Sequence, residues 1–99
     1  MGAKEDFLAK LKKQYDELNY KWSIERDKLE AKSQHATADV RKRYEEKVAA
    51  MRQKRDELKE KIKDIEKETT GAWAEIKEGA DTAWSALQEA FKKARSHFD

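Results

Sequence analysis

Ser33-Gln34-His35-Ala36-Thr37-Ala38-Asp39 decides how this chain folds, because apolar stripes of helical period run into it from both sides. The stretch is polar and moderately poor in helix formers. Yet Leu29, Ser33, Ala36 and Val40 follow one another at three- and four-residue steps, so the stripe keeps its phase across it. A loop normally resets that phase. The sequence therefore predicts one long helix over about 3–69, with 33–39 as the place of any interruption.

Upstream, Leu8, Leu11, Tyr15, Leu18, Trp22 and Leu29 fall within an arc of about 80° on a helix. Downstream, Val40, Tyr44, Val48, Met51, Leu58, Ile62 and Ile65 share an arc of about 100°, interrupted only by Arg55. Stripes this narrow suit a coiled-coil seam. The rest of the surface is charged, and the composition agrees. Charged residues make up 44% and apolar residues 37%, and there is no proline. Three glycines cannot punctuate a β-protein. Three Trp, three Tyr and three Phe set the chain apart from a disordered one.

Thr69-Thr70-Gly71 ends the long helix, since two β-branched residues before a glycine resemble a helix terminus. A second helix is expected over about 72–97. Its stripe is Trp73, Ile76, Ala80, Trp84, Leu87, Phe91, Ala94 and Phe98. Ile62, Trp73 and Trp84 repeat every eleven residues, which winds a seam straight or slightly right-handed. The fold class is thus all-α: a long coiled-coil helix and a shorter amphipathic helix folding back antiparallel in an oligomeric bundle. An uninterrupted rod and a compact three-helix bundle are the alternatives. A helix of 65–70 residues cannot cover its own stripe, so the expected first partner is the chain itself, as a homodimer or tetramer.

Catalytic chemistry finds little support. With no cysteine there is neither a disulfide nor a thiolate. His35 and His97 lie far apart, and neither follows a glutamate at the spacing that di-iron bundles use. His35 precedes Asp39 by four residues, but one pair defines no site. His97 suits a helix end, where its charge would favour the dipole. No glycine-rich phosphate loop is present. Catalytic, cofactor-binding and metal-ligating residues are not assigned, no cofactor is implied, and the expectation is a non-enzymatic protein.

The 23 Lys and Arg nearly balance the 21 Asp and Glu, for a net charge of +2. Residues 41–55 carry seven bases, including Arg41, Arg43, Arg52 and Arg55, against two acids. Such a stretch could neutralise phosphates. The following block, 56–68, has six acids and four lysines, which points to helix pairing rather than a nucleic-acid footprint. The aromatic face of residues 72–98 resembles an interfacial helix, but it bears four acids and four bases instead of a cationic face. Ala72, Ala83, Ala90 and Ala94 flank that face, so another helix could approach closely. Tyr20, Ile24 and Ala31 form a second apolar patch nearly opposite the main stripe. The candidate partner-contact residues are Tyr20, Ile24, Trp73, Trp84 and Phe91, for a protein client. Membrane-surface or weak nucleic-acid binding is the alternative. The first residues read as neither a signal peptide nor a myristoylation site, and no apolar run approaches a membrane span, so a cytoplasmic protein is expected.

The double block Ala72-Trp73-Ala74-Glu75-Ile76-Lys77-Glu78-Gly79 and Ala83-Trp84-Ser85-Ala86-Leu87, followed by Phe91, Ala94 and Phe98, resembles small bacterial coiled-coil stress-response proteins of a cyanobacterial stress-inducible type. Asp16-Glu17-Leu18-Asn19 and Tyr44-Glu45-Glu46 are similar in flavour. The resemblance spans most of the chain, although only the Ala-Trp block is specific. It implies a bacterial helical protein with a long coil and a Trp-bearing tail, and it supplies no catalytic residues. Ser33–Asp39 departs from the charged, alanine-rich helix the resemblance implies there.

Overall fold

The computed structural model describes residues 2–96. They form three helices: α1 (Ala3–Ser33), α2 (Ala38–Lys67) and α3 (Trp73–Ser96). The chain is all-α, as the sequence predicts, but the predicted continuous helix is broken. It turns at residues 34–37, and the first two stripes face each other within one chain. His97 and Phe98 lie outside the described residues.

The break has local causes. Ser33 is buried and donates its hydroxyl to Glu30 O (2.8 Å). The amides of His35 and Ala36 fold back onto Lys32 O and Ser33 O. Thr37 then caps α2, its Oγ1 accepting from the Val40 N–H (3.4 Å), with Asp39 in the first turn favouring the helix dipole. Arg41 closes the corner. Its guanidinium donates to Ser33 O and Gln34 O, both at 3.0 Å, and so occupies carbonyls that the end of α1 leaves without helical partners. Continuous helix would retain a few more hydrogen bonds but leave both stripes in water. Burial is worth roughly 1.5–3 kcal/mol for each large apolar side chain, so the hairpin wins.

The second corner forms at Glu68–Ala72. The Glu68 carboxylate accepts from the Thr70 N–H (3.0 Å) and the Thr70 hydroxyl (2.6 Å), and Thr70 Oγ1 accepts from the Ala72 N–H (3.2 Å). Lys4 Nζ donates to Glu68 O, tying the start of α1 to the end of α2. Lys12 and Glu66 add an exposed ion pair (3.3 Å) one level further in.

The three stripes make a single core. It contains Leu8, Leu11, Leu18, Trp22 and Leu29 from α1, and Met51, Leu58, Ile62 and Ile65 from α2. Helix α3 contributes Ala80, Ala83, Leu87 and Ala94. The described part measures 52 × 18 × 18 Å. Its long dimension is that of one 31-residue helix, about 46 Å, plus its corners.

Helix α3 has two unlike flanks. Gly79, Ala83, Ala86 and Ala90 recur at four- and three-residue steps on the side where Gly79 approaches Lys61 of α2. Trp73, Trp84 and Phe91 lie on the other side, toward α1. Small side chains let two helices approach, whereas aromatic rings hold them apart. Accordingly α2 and α3 share the most extensive contact, and α1 and α3 the least.

The stripes of α1 and α2 are buried within the chain. The step from exposed stripes to self-association therefore no longer applies to them.

Candidate interaction surface

The loose seam between α1 and α3 is a groove. Three hollows of about 330, 220 and 480 Å³ run along it and share their lining residues end to end. Phe7, Leu11, Leu18, Trp84 and Phe91 provide its apolar floor, with Gln14 and Gln88 between them. Lys10 and Lys77 stand at one end, and Lys21, Lys92 and Arg95 at the other. Glu17, Asp81 and Glu89 complete the walls.

Ring contacts define the depth of this groove. Phe7 meets Trp73 at 6.2 Å between centroids, and the Lys77 ammonium lies 5.3 Å above the Phe7 ring. Trp22 is buried and takes the edge of Phe91 at 6.2 Å and 75°. Trp73, Trp84 and Phe91 are each half-buried against the core. Trp84 and Phe91 thus serve as wall and floor at once, while Trp73 stands behind Phe7.

Tyr20 and Ile24 sit elsewhere. They are the large apolar side chains left exposed among the described residues, at 69% and 40%, on the side of α1 turned away from the core. The five candidate contacts therefore divide between two surfaces. Phe7, Gln14 and Gln88 complete the groove and escaped the sequence reading. Phe7 could have been found from its place one turn before Leu11.

The basic stretch at 41–55 is divided as well. Arg41 caps α1, and Lys54 lies 3.7 Å from Glu57. Arg55 is partly buried on the α2 core stripe, where its Nε has no hydrogen-bond partner; the Asn19 Oδ1 is likewise unpartnered on α1. Lys42, Arg43 and Arg52 remain exposed. Burial, and next the carboxylate of Glu30, push the Tyr44 hydroxyl above its ordinary pKa. The turn at 34–37 means His35 and Asp39 do not share a helix face.

Among the described residues, no helix is long and apolar enough to cross a membrane. No group of three or more His, Asp or Glu side chains there is placed to hold a metal ion. No protein family, curated protein or solved structure matches the chain.

Proposed function

We propose that this protein is a non-enzymatic, cytoplasmic helical adaptor that holds one amphipathic helix of a protein client in the groove between α1 and α3. The observation that carries the reading is the apolar part of that groove's floor, where the rings of Phe7, Trp84 and Phe91 are only partly covered between polar walls. Helix-in-groove recognition uses such a floor for anchors spaced at i, i+3/i+4 and i+7.

Length and charge describe the occupant. From Phe7 to Lys21, α1 rises about 21 Å, which is four helical turns. Lysines at both ends favour a client helix with acidic residues near its termini and an apolar face between them. A role under stress enters this reading only through the resemblance of the Ala-Trp block.

The test uses a labelled peptide of about 16 residues, with leucines on one face and glutamates at both ends. Fluorescence anisotropy should show saturable binding. Lys21→Glu, an exposed change, should weaken it about tenfold at unchanged helicity. A lysine-ended peptide should bind far less. Equal binding of both peptides, or none, overturns the groove reading. A blue shift of tryptophan emission on phosphatidylserine vesicles, with no response to the peptide, would favour a membrane surface instead.

A further inference from the structure

We infer that this chain dimerises by exchanging α1: the corner at 34–37 straightens, and α1 of each copy takes the place of the other's α1 on α2 and α3. Little rotation is needed. The corner holds neither glycine nor proline, and no residue in it has a positive φ. Gln34 is already helical, at φ −61° and ψ −28°. The amides of His35 and Ala36 bond three residues back, a tightened continuation of α1. Thr37 has a helical φ of −67°, and its ψ of 166° must turn to about −42° to join α1 to α2.

Phase identifies the occupant. Leu29, Ser33, Ala36 and Val40 keep the apolar stripe on one face across the corner. A hairpin tolerates any phase, because its corner is free to turn. A straightened helix over 3–67, about 98 Å long, can bury both halves on one antiparallel partner only if they share a face. The partner whose stripes match in reverse order is a second copy. Away from the corner, each α1–α2 and α1–α3 contact of the single chain then re-forms between chains, with its charges unaltered. The exposure of both stripes to water, which disfavours a lone straight helix, does not arise.

Nothing in the fold obstructs the exchange. Arg41 reaches Ser33 across the corner, so the two-fold axis falls near Thr37, where Ser33 and Ala36 give small side chains to the crossing. Helix α3 stops short of it. Gly79 lies beside Lys61 and α3 runs antiparallel to α2, so Ser96 comes level with about residue 44. Of the three helices, α1 is the least engaged with the others and so the one free to leave. Straightening loses the Thr37 cap and the Arg41 bonds to Ser33 and Gln34, and it restores helical bonds from the amides of residues 37–40. Such bonds differ little in net worth, so concentration decides between the forms. Each groove of the dimer takes Phe7, Leu11 and Leu18 from one copy and Trp84 and Phe91 from the other.

The test refolds the full chain at about 5 and about 500 μM and separates the products by size, with light scattering for mass. The dilute sample should hold one chain. The concentrated one should add a two-chain species of undiminished helicity, with a longest dimension near about 100 Å by small-angle scattering. Thr37→Ala removes the cap of α2 and should raise the dimer fraction about tenfold. Ala38→Pro should hold the protein at one chain. Proline suits the first position of α2 and the extended Thr37 before it, but it clashes within a straight helix.

The native chain has no cysteine, so introduced ones separate exchange from side-by-side docking. Lys12→Cys and Glu66→Cys replace an exposed ion pair between α1 and α2. In this double variant a short bis-maleimide should join the isolated dimer into a covalent two-chain species, and link the isolated monomer only within itself. Links confined to single chains in the dimer overturn the inference. So do a single-chain mass at every concentration, and a dimer that Ala38→Pro and Thr37→Ala leave unchanged. Peptide binding by the Ala38→Pro monomer reports separately on the adaptor reading.

Discussion

At Glu68 one carboxylate oxygen organises the turn from α2 to α3 by accepting two hydrogen bonds from Thr70. The hydroxyl of Thr70, then its backbone N–H, hold the Glu68 carboxyl below its ordinary pKa. A lowered pKa in the folded state means that the ionised form supports folding. Its contribution is complete above the ordinary glutamate value and is lost as the pH falls through the lowered one. Glu68→Gln should therefore melt below the wild type at neutral pH, and the gap should close in acid. Melting curves from about pH 7 to about pH 2 check this, and a pH-independent gap would contradict it. Arg41 plays the matching part at the first corner, where its planar fork spans two successive carbonyls.

At the scale of the element, α3 owes its position to the division between its small and aromatic flanks. Gly79 is more than the small side chain the contact requires. A Cβ there would meet only the flexible end of Lys61, with Cε at 3.5 Å and Cδ and Nζ at 3.7 Å, which is ordinary contact distance. Glycine in a helix interior costs roughly 0.5–1 kcal/mol relative to alanine. Gly79→Ala should thus stabilise the protein by about that amount in urea denaturation; a loss of stability would mean that Lys61 cannot yield. The stripes that build each element were legible in the sequence, down to the break of the pattern at Arg55. So was the oddity of Tyr20 and Ile24, which lie off every stripe. The groove was not legible. Its width depends on two flanks of α3 acting against two different helices, and a single helical projection does not contain that distance. Gln14 and Gln88 became visible as lining residues only once α1 and α3 stood apart.

For the whole molecule, the decisive misreading was the first corner. Phase runs unbroken from Leu29 through Ser33 and Ala36 to Val40, which is the pattern of a continuous helix. The same phase also serves a hairpin whose two stripes must face each other. Thr37 and Asp39 held the better signal, an N-cap residue and an acid in the first turn of a new helix. The unequal flanks of α3 have one more consequence, in how the protein comes apart. Helix α3 is seated on α2 along its small flank, while α1 is held away from α3 by rings. Resistance to opening is graded accordingly, and α1 should detach while α2 and α3 remain a closed pair. Native-state hydrogen exchange should release the amides in the middle of α1 before those of α2 and α3, and equal protection in all three helices would contradict this. Loss of structure then has a defined first step, one that brings Trp22 into water while the alanine flank of α3 still rests on α2.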